Sequence, residues 1–178
     1  MFSIFKKNRK PQAVKVYRQT IPAARFIGKK YGNEDRVDGY FGAKWNEWND
    51  KGWFDLLGEQ ISGCHKSLYE DGDAAVGLMR HPGGDHSKFE YWIGYFTPAG
   101  TAVPDGFGHE DMPAMDIGAV WFYEKDEKKY DLAPEALARL EKDGFIATTD
   151  WNFERYSPAR LSNPAINKRI IDICFFVE

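Results

Sequence analysis

The feature that most constrains this chain is a pattern that starts twice. Met112-Pro113-Ala114 and the apolar run to Phe122 echo Ile21-Pro22-Ala23 and the apolar segment behind it. Asn152-Phe153-Glu154-Arg155-Tyr156-Ser157-Pro158 answers Gly77-Leu78-Met79-Arg80-His81-Pro82. The continuous apolar segment Ile170–Val177 answers the one at 89–96. Pro22 precedes Pro82 by 60 residues and Pro113 precedes Pro158 by 45, so the first copy has the longer helix or loop.

The elements between these landmarks follow from periodicity. Residues 19–31 read as one strand entered through a proline, 74–80 as a short strand, and 89–96 as a strand buried on both faces. From about 37 to 61, Tyr40, Phe41, Trp45, Trp48, Trp53, Phe54, Leu57 and Ile61 recur mostly every three to five residues, which is helical. Gly52 and Gly58 are expected to break or bend that run. Residues 97–108 read as a Pro/Gly-rich loop. Leu132–Lys142 reads as a short helix, with Asp131 as N-cap, Pro134 in the first turn and Gly144 as the stop. The order strand–helix–strand–strand thus occurs twice, and an α+β fold is expected: duplicated units forming an antiparallel sheet, helices on one face, and a ligand pocket at the seam. The expected organisation is a tail at 1–16 and one domain at 17–178, with a first repeat at about 17–108 and a second at about 109–178.

Composition removes several function classes. Of 178 residues 43% are hydrophobic, which predicts a folded chain, and no apolar run approaches the roughly 20 residues a spanning helix needs, so no membrane partner is expected. A net charge of -3 supplies no basic field for phosphates, so no direct nucleic-acid partner is expected either. The basic start, Lys6-Lys7-Asn8-Arg9-Lys10, follows too few apolar residues for a signal peptide and reads as a solvated terminus. Cys64 and Cys174 have no metal-ligand spacing and are too few for a disulfide scaffold, which predicts a cytoplasmic protein. His81 and His86 flank a Pro82-Gly83-Gly84-Asp85 turn without further rigid ligands, so no metal is expected, and no cofactor. Adjacent Cys64 and His65 point apart and read as loop. No phosphate-binding Gly-rich loop and no serine nucleophile elbow occur. The mixed-sign stretch at 124–129 reads as a solvated loop.

Aromatic residues reach 16%, enough both to fill a core and to grip flat molecules. The most informative segment is Trp151-Asn152-Phe153-Glu154-Arg155-Tyr156. As a strand it puts Asn152, Glu154 and Tyr156 on one face, with Phe153 and Arg155 on the other. If the first face looks inward, a carboxylate lies among aromatic rings, where desolvation raises its pKa unless a cation or donors hold it ionised. If that face looks outward, Glu154 pairs with a surface Lys or Arg.

The double pattern opened by Ile21-Pro22-Ala23 and Met112-Pro113-Ala114, the Phe153-Glu154-Arg155-Tyr156 strand and the closing apolar strand together resemble the GyrI-like small-molecule-binding superfamily. That superfamily includes the effector-binding domains of AraC-type and multidrug-responsive regulators. The resemblance covers about residues 17–178. Arg25-Phe26-Ile27-Gly28-Lys29-Lys30-Tyr31, Phe41-Gly42-Ala43-Lys44-Trp45-Asn46-Glu47-Trp48 and Phe89-Glu90-Tyr91-Trp92-Ile93-Gly94 resemble a stand-alone subgroup. The resemblance implies an aromatic pocket between the halves, into which a buried glutamate on the penultimate strand, here Glu154, reaches to meet bulky, often cationic aromatic compounds. Some stand-alone members hydrolyse the cyclopropane of DNA-alkylating natural products. No helix-turn-helix accompanies the pattern, so a direct transcription-factor role is not expected.

Three functions follow as expectations. The first is binding of bulky hydrophobic, cationic aromatic small molecules, with Tyr40, Phe41, Trp45, Trp92, Trp121, Glu154 and Tyr156 as ligand-binding residues. The second is a cyclopropanoid hydrolase in which Glu154 takes a proton from water and Tyr156 stabilises the developing phenolate. The third is modulation of a protein partner through a strand edge or acidic face.

Overall fold

The structure, a computed structural model, describes residues 11–60, 73–124, 131–161 and 169–178. Ile61, Cys64, His65, the basic start and most of the mixed-sign stretch lie outside the described residues. Eight strands form one antiparallel sheet: β1 (Lys15–Ile21), β2 (Ala24–Tyr31), β3 (Ala75–Arg80), β4 (Glu90–Pro98), β5 (Gly108–Met112), β6 (Met115–Tyr123), β7 (Ala147–Tyr156) and β8 (Ile170–Val177). Four helices are described: α1 (Gly42–Asp50), α2 (Trp53–Gln60), α3 (Leu132–Lys142) and the single turn α4 (Pro158–Leu161). The fold is α+β.

Two expectations need correction. The strand expected at 19–31 is two strands, because Pro22 has no N–H to continue a ladder and the chain turns there. The loop expected at 97–108 closes into β5, whose Gly-His-Glu-Asp-Met sequence carries no apolar alternation. Other features match their local chemistry. Gly52, at φ 63, separates α1 from α2. Asp131 caps α3 by accepting from the Ala133 N–H at 3.2 Å, and Gly144 ends it at φ 88.

The strand order is β1-β6-β8-β7-β3-β4-β2-β5. β1 and β2 therefore stand six positions apart yet are joined only by Pro22 and Ala23. In a flat sheet six spacings of ~4.8 Å would separate them by roughly 29 Å, whereas such a link spans at most about 11 Å. Pro113 and Ala114 join β5 to β6 under the same constraint. The sheet must roll, and its inner face packs on itself: Ile21, Phe26, Phe96, Met112, Ile117, Phe153 and Phe176 form one buried cluster.

The opposite face carries the helices. Cross-strand register aligns Lys29, Ile93, Gly77, Glu154, Ile173, Val120 and Val16 in one row. Directly paired residues share a face, so this row runs along one side of the sheet. At one end, Trp48 of α1 and Leu57 of α2 pack with Ile27, Tyr31, Tyr91 and Ile93. At the other, Leu132, Ala136 and Leu140, one stripe of α3, pack with Val120, Ile173 and Phe175. Gly77 and Glu154 fall between the two helix layers.

Candidate functional site

Strand alternation sends Glu154 to the helix-covered face, half-buried, while its neighbours Phe153 and Arg155 are buried on the inner face. The cross-strand neighbour is Gly77, and the missing side chain matters. A Cβ there would lie 2.4 Å from the Tyr91 Oη and 3.1 Å from Glu154 Oε2. Glycine is what lets the Tyr91 phenol reach across β3 toward the carboxylate.

Two side chains donate to Glu154 Oε2, and a third supports one of them. The Tyr156 hydroxyl donates to it at 2.8 Å, and the Tyr91 hydroxyl at 3.4 Å. The Trp45 indole N–H donates to the Tyr91 Oη at 2.8 Å. Trp45 also meets Tyr156 edge-on, with ring centroids 4.8 Å apart, and Phe54 lies 5.8 Å from Trp45. Phe41 stacks on Tyr91 at 4.1 Å with the planes 2° apart. α1 starts without a side-chain cap, so burial of Trp48 and the Trp48 N–H bond to the Tyr31 Oη at 2.9 Å hold it in place. The result is a carboxylate edged by phenols and an indole. Such a setting favours cations with apolar bodies, by charge and by ring quadrupole.

Of the residues expected at a site, the structure brings Glu154, Tyr156, Trp45 and, behind Tyr91, Phe41 together. Glu154 is half-buried rather than buried. Tyr40 stands 74% exposed, beside a tight turn in which Asp38 and Gly39 take positive φ. Trp92 is buried on the inner face against Phe26. Trp121 also lies on the inner face, under the Arg160 guanidinium at 4.6 Å. Sequence reasoning missed Tyr91 and Gly77. An isolated glycine in a short strand signals close approach, and it pointed here.

The inner face behind Glu154 carries a different polar group. Arg155 donates to Asp172 at 2.7 Å, to the Tyr17 Oη at 2.8 Å and to Gln19 Oε1 at 3.1 Å, and Arg160 also bonds Asp172. Arg155, Arg160 and Asp172 are all buried. Burial pushes the Tyr17 phenol and the Cys174 thiol each up to about 12. Elsewhere, His81 and His86 lie 4.3 Å apart, and burial reinforced by the neighbouring imidazole holds His81 below the usual histidine range. Among the described residues no group of three or more His, Cys, Asp or Glu could hold a metal, and no helix is long and apolar enough to cross a membrane.

No protein-family model matches the chain, and no curated protein matches it. Solved structures share its fold. SAV2435, bound to tetraphenylphosphonium, superposes with a TM-score of 0.65 at 13% identity, covering 93% of this chain and 94% of that one. A Staphylococcus aureus MU50 protein provisionally assigned to bacterial transcription regulation gives 0.62 at 14% identity, over 92% and 98%. The EcmrR C-terminal domain gives 0.53 at 15% identity, over 92% and 97%. At these identities the likeness establishes the fold, which is consistent with the GyrI-like resemblance.

Proposed function

We propose that this protein binds bulky aromatic cations on the helix-covered face, with Glu154 as counter-charge and Trp45, Tyr91 and Tyr156 as ring contacts. The observation that carries this reading is a half-buried carboxylate whose oxygen accepts from two phenols inside an aromatic surround. Tetraphenylphosphonium in SAV2435, a protein of the same fold, is a ligand of this class. The seam belongs to the same proposal. β2, α1–α2, β3 and β4 form one unit, β6, α3, β7 and β8 the other, and their strand orders β3-β4-β2 and β7-β8-β6 support the pairing. Glu154 and Gly77 sit where the units meet. No observation favours cyclopropane hydrolysis or a partner-modulating role.

Calorimetric titration with tetraphenylphosphonium tests the proposal. Binding is expected in the wild type and is weakened tenfold or more in Glu154→Gln, about 1.4 kcal/mol. Neutral triphenylphosphine oxide is expected to bind both proteins alike. Absence of cation binding, or equal affinity in Glu154→Gln, overturns it.

A further inference from the structure

A concave region lies at the far end of the row that contains Glu154, three strand positions away. It is a shallow depression of about 450 Å³ that does not touch Glu154. β5 pairs with β2 only from Ala24 to Gly28, and past that point β2 residues 29–31 line the depression. Lys29 and Tyr31 face the helices, whereas Lys30 and Trp92 face the other way, so the depression straddles the sheet edge. Trp53, at the start of α2, forms a ring wall on the helix side.

The charges around it are not equivalent. Lys30 pairs with Glu90 at 3.3 Å, and Lys44 with Asp35 at 3.2 Å and Glu47 at 3.6 Å. Lys29 has no carboxylate within ion-pair distance among the described residues. The residue is half-buried, and its amine donates to the Gly106 carbonyl at 2.7 Å and stands 4.3 Å from the Trp53 ring centre and 4.7 Å from that of Phe107. Burial draws its pKa below the usual lysine range, a pull that Glu47 partly offsets. A partly desolvated ammonium gains from a counter-charge, and ring walls favour a flat one.

We propose that this depression is a binding site for flat aromatic anions, carboxylates or sulfonates of one or two rings, with Lys29 as the charge partner and Trp53 as the stacking surface. The ligand binds without covalent change. Its charge preference is opposite to that of the Glu154 site, so the protein has two separable small-molecule sites on one sheet.

Naphthalene-1-sulfonate is the probe, titrated calorimetrically into the full chain at low ionic strength, with tetraphenylphosphonium as the second arm. Lys29→Met, which keeps the apolar stem, is expected to weaken sulfonate binding at least tenfold and leave the phosphonium titration unchanged. Glu47→Gln removes the carboxylate nearest Lys29 in charge terms and is expected to tighten the sulfonate two- to fivefold, which keeps the proposal testable should Lys29→Met not fold. Sulfonate binding that is absent in the wild type, insensitive to both variants, or lost in Glu154→Gln overturns the proposal. Failure of the phosphonium arm alone bears on the Glu154 reading instead.

Discussion

Glu154 and Arg155 are neighbours on β7, and the sheet treats them in opposite ways. Arg155 enters the inner face of the rolled sheet and is sealed there with Asp172, Arg160, Tyr17 and Gln19. Glu154 enters the helix face, stays half-buried, and accepts from phenols that also offer ring surface. A buried ion cluster of this kind specifies packing, with both guanidiniums and the carboxylate between them buried. The Glu154 carboxylate accepts from neutral phenol donors and is not fully sealed. Full burial with charge partners holds the packing at Arg155, whereas partial burial among phenols leaves Glu154 as the group on which the proposed site depends.

The largest test of that contrast is Asp172→Asn. It removes the carboxylate shared by two buried guanidiniums and is expected to cost about 3–5 kcal/mol in urea unfolding, whereas Glu154→Gln is expected to change stability by less than about 1 kcal/mol. An equal cost for both would erase the distinction.

Alkaline titration probes the sealed side together with Tyr31 on the helix face, whose phenol burial likewise pushes up to about 12. The Cys174 thiol rises from 9.0 and the Tyr17 phenol from 10.0, both to about 12, because burial disfavours their anions. The unfolded chain then releases protons first as pH rises. Stability is expected to hold below about pH 9 and to fall progressively toward about pH 12. Cys174→Ala moves the onset from about 9 to about 10, read from urea midpoints across that range.

On the open side, Gly77→Ala forces Tyr91 and Glu154 apart and is expected to cost about 1–3 kcal/mol, with a parallel loss of phosphonium affinity. Gly58→Ala on α2, where an added Cβ meets nothing within 4 Å, is the control and is expected to stabilise by about 0.5–1 kcal/mol. A smaller effect than that of Gly77→Ala is expected from Trp45→Phe. Deleting its N–H to Tyr91 costs about 0.5–1.5 kcal/mol in stability and shifts phosphonium affinity by a few-fold, measured by calorimetry.

Features that depend on local chemistry were readable before the structure. The Asp131 cap, the Gly144 stop, the break at Gly52 and the closing strand Ile170–Val177 all follow from side chains within a few residues of one another. The element at Gly108–Met112 was not, because only Met112 of this edge strand is buried, with His109 and Asp111 exposed and no apolar beat between them. The helical period extended to Tyr40 ran through a tight turn whose Asp38-Gly39 pair is itself a hairpin-turn signal.

At the site, Glu154 and Tyr156 could be placed on one face by alternation, but which face could not. Between Tyr91 and Trp92 the sequence gives no basis for choosing, since a strand buried on both sides has no polar beat. Only the register through Gly77 separates them.

The two proline links have a consequence for how the chain reaches this state. β1 is first in the chain but pairs with β6, and β5 pairs back with β2 across the intervening α1, α2, β3 and β4. The sheet is complete only when β1 meets β6 and β5 meets β2. Such long-range pairing makes the most distant contacts the last to be rewarded, and it predicts slow, all-or-none folding of the whole chain rather than two lobes that mature in turn.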